Sequence, residues 1–87
     1  MFTSWGVETS RRFTKEMLDE RLSALDSGKY GTVLRAKGIV DGGDTWYYFD
    51  YVPEEADVRT GAPQVTGRLC VIGCGLDEEA LKALFLN

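Results

Sequence analysis

Apolar and polar residues alternate at the start of the chain, where Trp5 and Val7 are interleaved with Ser4, Gly6 and Glu8. A period of two is that of a half-buried strand, so Phe2 to Glu8 is predicted to be extended. The period then lengthens. Leu18, Leu22 and Leu25 recur at helical spacing with Met17 widening the stripe, while Lys15, Glu16, Asp19 and Glu20 take the opposite side. Thr14 precedes this run as an N-cap, Phe13 and Leu18 have the spacing of a hydrophobic staple, and Gly28 supplies the stop.

Two β-rich runs follow, Thr32 to Val40 and Thr45 to Val52, around Gly42-Gly43. They predict a hairpin with a two-residue loop and Asp41 opposite Asp44. In that register Leu34 meets Tyr51, Ala36 meets Phe49 and Gly38 meets Tyr47 on one face, which is apolar and should lie under the helices. The other face pairs Val33 with Val52, Arg35 with Asp50, Lys37 with Tyr48, and Ile39 with Trp46. Pro53 to Gly67 reads as a long connection with a short edge strand around Asp57-Val58-Arg59. Arg68 to Ile72 is apolar on both faces, the mark of an interior strand. Asp77 caps a last helix, with Leu76 and Leu81 at staple spacing, Glu78 and Glu79 in the first turn, and Leu81, Leu84 and Phe85 as its buried stripe. The order β-α-β-β-(β)-β-α predicts an α+β two-layer sandwich: a largely antiparallel sheet of four to five strands with two helices on one face.

Composition narrows what such a domain does. The chain has 87 residues, enough for one core and not two, and residues 1–87 are read as a single domain. Its net charge is -4, which argues against nucleic acid as a partner, because phosphate neutralisation needs clustered Lys and Arg. Apolar runs fall short of a membrane span, and the start carries no signal-peptide pattern. Histidine is absent, which removes the commonest general base and the commonest metal ligand together. The phosphate-loop, dinucleotide and nucleophile-elbow motifs are absent too, so the chain is expected not to be an enzyme.

Cys70 and Cys74 lie in an extended stretch, where ~13 Å separates residues four apart, too far for a disulfide. Two thiols at that spacing make no usual zinc site, so they read as small buried apolar side chains in a reduced, cytoplasmic protein, with a reactive thiol at Cys74, between two glycines, as the alternative. Asp77-Glu78-Glu79 is explained by helix capping, and Asp41 and Asp44 by the turn they flank. No catalytic, cofactor-binding or metal-binding residue is assigned. One group does not reduce to core or cap: Arg35, Lys37, Trp46, Tyr48 and Asp50 share the second sheet face. Trp, Tyr and Arg are the residues enriched where proteins bind. That face is either a solvated surface held by cross-strand pairs or a partner-binding surface. Stacking of single-stranded RNA on its aromatics is a third reading, opposed by the negative charge.

Three segments together resemble a known family. Gly31-Thr32-Val33-Leu34-Arg35-Ala36-Lys37-Gly38, then Gly67-Arg68-Leu69-Cys70-Val71-Ile72-Gly73, then Leu76-Asp77-Glu78-Glu79-Ala80-Leu81 are similar to the C-terminal domain of the CobW family. These are P-loop GTPases associated with metal trafficking and cobalamin metabolism. The resemblance spans essentially the whole chain. It implies a non-catalytic accessory domain that modulates the GTPase or contacts a partner, with the N-terminal GTPase domain absent. GTP and a divalent metal would belong to that domain, so no cofactor is expected on this chain. The implied partners are its own GTPase domain, a client metalloprotein or a second copy. The alternative is a free-standing small binding module that takes single-stranded RNA or a small anion on the exposed sheet face.

Overall fold

Thr14 opens the first helix as its position predicts, its hydroxyl accepting the Met17 N–H at 3.1 Å while its own backbone stays extended. In the computed structural model, which describes residues 1–86, that helix is α1 (Lys15–Ala24), continued by a 3-10 turn (Leu25–Ser27) that ends at Gly28. The other elements are β1 (Thr3–Thr9), β2 (Thr32–Asp41), β3 (Trp46–Val52), β4 (Glu55–Gly61), β5 (Gly67–Cys74) and α2 (Glu78–Leu86). The strands form one antiparallel sheet in the order β1-β5-β2-β3-β4. β5 returns to lie between β1 and β2, so it is interior, as its two apolar faces predict.

Both helices cover the same face of this sheet. Leu18 and Leu22 of α1 and Leu81 and Phe85 of α2 join Ala36, Val40, Phe49, Tyr51, Leu69 and Val71 in a single buried cluster. Trp5 of β1 stacks on Phe85 with ring centroids 6.4 Å apart, which ties the edge strand to the last helix. Asp77 caps α2 by accepting the Ala80 N–H at 3.0 Å, and its acidic first turn suits the helix dipole. The two-layer α+β sandwich is thus the expected one. Gly38 is enclosed within it: a Cβ there would lie 2.6 Å from the Arg68 carbonyl oxygen and 2.7 Å from the Leu69 Cβ.

Three expectations need correction. First, the β2–β3 turn holds four residues, Gly42 to Thr45, and Asp41 faces Trp46 rather than Asp44. The Asp41 carboxylate accepts the Gly43 N–H at 2.8 Å, and Gly42 donates to the Thr45 carbonyl at 2.8 Å, which closes the wider turn. Asp41 is held in the strand by its carbonyl, which accepts the Phe13 N–H at 2.9 Å. Every pairing therefore moves by two residues: Ala36 meets Tyr51, and Gly38 meets Phe49. Faces survive a shift of two, because side chains alternate with that period.

Second, a bulge between Val33 and Arg35 places Val33 in the core and leaves Leu34 exposed, the reverse of the expected assignment. The extra residue switches the alternation at that point. Third, β4 is a full strand of seven residues, where a short one was expected in a long connection. Only Val58 in it is even half-buried, so its alternation carried little signal. Pro53-Glu54 turns the chain from β3 into β4, with Glu54 at φ 64° in the left-handed region. Asp26, just past α1, fastens this corner: its carboxylate accepts the Tyr51 hydroxyl and, at 2.8 Å, the Glu54 N–H. The Tyr51 bond, with that backbone bond, holds the Asp26 carboxyl below its ordinary range. Burial, reinforced by this carboxylate, raises the Tyr51 phenol.

Candidate interaction face

The face turned away from the helices is a grid whose rows the register sets. One row runs Glu8, Arg68, Ile39, Tyr48, Arg59 across all five strands. The next runs Gly6, Cys70, Lys37, Asp50, Asp57. Arg35 and Ile72 lie opposite each other beyond them. Nothing among the described residues covers this grid, and Ile72 keeps 40% of its surface exposed.

Asp50 is the electrostatic centre. It was expected opposite Arg35; Lys37 stands there instead. The ion pair with Arg35 nevertheless forms on the diagonal, at 3.1 Å. Arg59 reaches the second Asp50 oxygen at 3.4 Å and Asp57 at 2.6 Å. The Arg35 hydrogen bond, helped by Arg59, holds the Asp50 carboxyl below its usual range. Lys37 and Arg68 have Asp50 and Glu8 as cross-strand neighbours but make no ion pair among the described residues.

Tyr48 is fixed from its far side. Its hydroxyl donates to the Ala62 carbonyl at 2.7 Å and accepts from Gln64 Nε2 at 3.0 Å. Its ring lies over Gly61 so closely that a Cβ there would fall 2.5 Å from the ring. Glycine in that edge strand is what lets the tyrosine lie flat across it. Trp46, expected beside Ile39, sits instead opposite Asp41 and Gly61, at the far end of β3 from Arg35.

Between the rows is a depression of about 370 Å³, lined among others by Lys37, Ile39, Tyr48, Asp50, Arg59 and Arg68. The structure thus gathers Lys37, Tyr48 and Asp50, places Arg35 at the margin through its ion pair, and leaves Trp46 outside. Arg59 and Arg68 belong to the site and were not singled out from the sequence. For Arg68 the signal existed, because it alternates with Cys70 and Ile72 on the open face. Arg59 had only the weak signature of β4. Cys70 also lines the depression, and it and Cys74 are half-buried free thiols rather than the buried side chains expected, because both alternate onto the open face of β5. Among the described residues no three His, Cys, Asp or Glu side chains converge as metal ligands.

The profile of the cobalamin synthesis protein cobW C-terminal domain matches residues 2–87. The chain belongs to this family. Its fold superposes on the Zn(II)-bound YjiA GTPase from E. coli with a TM-score of 0.81 at 21% identity, covering 98% of this chain and 29% of that one. A Zn(II)-bound triple mutant of the YjiA GTPase matches with a TM-score of 0.79 at 22% identity, again over 98% of this chain and 29% of that chain. The cobW C-terminal domain here therefore spans less than a third of the length of the solved GTPases it matches. No curated protein matches it by sequence. No helix among the described residues is long and apolar enough to cross a membrane.

Proposed function

We propose that this cobW C-terminal domain is a non-catalytic accessory domain of a GTPase, and that it binds a protein partner through its open sheet face. The observation that carries this reading is the depression of about 370 Å³ on that face, edged by Lys37 and Arg68, neither of which makes an ion pair among the described residues. Its floor is apolar and its wall, Tyr48, is already immobilised, so ordering it on binding costs little entropy. A partner surface bearing carboxylates fits the two unpaired cations; Arg35 and Arg59 are already engaged by Asp50. The partner is the GTPase domain of its own polypeptide or a client metalloprotein, and the setting is metal trafficking or cobalamin metabolism in the cytoplasm. GTP and metal are held outside this domain.

The intact mass of the native polypeptide in its source cells decides the form of the test. A mass well above 9.7 kDa directs calorimetry at the parent's GTPase domain; a mass of 9.7 kDa directs a pull-down for a separate partner. In either form Lys37→Glu with Arg68→Glu abolishes binding and leaves the melting curve in place. Undiminished binding by this variant removes the open face from the reading. Lys37 and Arg68 also favour a second reading, a module for a small anion. Inorganic phosphate that protects the Lys37 and Arg68 resonances in an NMR titration, in a salt-dependent way, supports that one.

A further inference from the structure

The two edges of the sheet are defended unequally. β4 carries Glu55, Asp57 and Arg59 along its length, and α1 packs beside it. Charges of this kind are how proteins keep a strand edge from recruiting another chain. β1 has far less of this defence. It pairs with β5 in an unbroken register from Thr3–Gly73 to Thr9–Gly67, has no bulge or proline, and holds a single charge, Glu8. Among the described residues no strand occupies its outer side, so its outward N–H and C=O groups stand ready to pair.

We propose that β1 is a dimerisation edge, on which two copies of this chain pair as antiparallel strands about a two-fold axis at Gly6. The sequence of the strand is self-complementary in that register. Thr3 meets the second copy's Thr9, Ser4 meets Glu8, and Trp5 meets Val7. Thr–Thr and aromatic–β-branched pairs are favourable across antiparallel strands, and a serine can donate to a carboxylate. The two glutamates do not oppose each other. Trp5 and Val7 are half-buried against the core in one copy, so pairing them buries the rest of their apolar surface under two adjacent α2 helices. A two-fold axis normal to the sheet keeps the helices of both copies on the same side, as this requires. The contact uses one strand of seven residues, well short of a standard interface, so the dimer is weak and depends on concentration.

Gly6 gives a clean test. Its side is open, the nearest atom to an added Cβ being the Leu69 carbonyl oxygen at an ordinary 3.6 Å, so substitution there leaves the monomer intact. In Gly6→Lys two ammonium groups face each other across the axis; in Gly6→Thr two good strand-formers do. Sedimentation equilibrium of the 87-residue chain from about 10 µM to about 1 mM is expected to show a rise from monomer toward dimer. Gly6→Lys should weaken the dimer about tenfold or more, and Gly6→Thr should retain it. Over the same concentrations, hydrogen exchange of the native chain should slow at β1 amides and not at β4 amides. A chain that stays monomeric throughout overturns the proposal. So does a dimer that Gly6→Lys leaves unweakened, or one that protects β4 instead.

Discussion

The two faces of the sheet are built from the same five strands and are held in opposite ways. On the covered face side chains of both helices and of β2, β3 and β5 merge into one buried cluster, with Trp5 and Val7 of β1 and Val58 of β4 packed against its edges. On the open face the residues are joined by hydrogen bonds and ion pairs: Arg35 and Arg59 on Asp50, and Tyr48 on Ala62 and Gln64. Burial there is partial and the order comes from polar contacts, each of which contributes modestly. The lesson is that this domain's stability is concentrated on one face, which leaves the other free of the demands of the core. A surface that contributes little to folding is free to be specified by what it binds.

Truncation should expose that division most strongly. Leu22→Ala, in the covered layer, is expected to lose about 2–5 kcal/mol of unfolding free energy in urea. Ile72→Ala, on the open face, should stay within about 1 kcal/mol. Equal losses would mean that the open face is part of the core. A smaller effect is expected where the open face borrows from packing. Tyr48→Ala, which strips the ring from Gly61 and frees Gln64, should cost about 1–2 kcal/mol and speed amide exchange in β4, whereas Tyr48→Phe should keep most of the stability. A binding test at this position therefore needs the phenylalanine variant rather than alanine.

Tyr51→Phe probes the corner that locks the helical layer to the β3–β4 turn, and its loss should be about 1 kcal/mol by thermal melting. The smallest effect is in pH. Asp26 and Asp50, one at that corner and one on the open face, both have folded pKa values below the ordinary 3.8. Their stabilisation is complete above that value and is lost as pH falls through the folded pKa values. Asp26→Asn and Asp50→Asn should each flatten the acid limb of a plot of melting temperature against pH. An unchanged limb in both would mean these carboxylates are as well solvated folded as unfolded.

The sequence by itself determined both helices and the strands other than β4, and the buried side of the helices and of most of the β2–β3 hairpin. Thr14 and Asp77 cap the helices as their chemistry dictates, and the apolar stripes of Leu18–Leu22 and Leu81–Phe85 find the core. Alternation assigned Ala36, Phe49 and Tyr51 to the covered face correctly, while β5, apolar on both faces, gave no choice between Leu69–Val71 and Cys70–Ile72. This worked because burial is non-directional and answers only to the parity of a position along its strand. Register does not answer to parity. A slip of two residues leaves the same side chains inside, so the hydrophobic pattern could not distinguish Asp41–Asp44 from Asp41–Trp46. The hydrogen bonds of Asp41 with Gly43 and Phe13 made that choice, and Phe13 arrives from a segment distant in sequence. The bulge at Leu34 likewise reversed two positions whose composition gave no warning. Only the tertiary structure put Arg59 and Arg68 beside Lys37 and took Trp46 away from it, because that neighbourhood is assembled from four strands whose alignment local sequence does not encode.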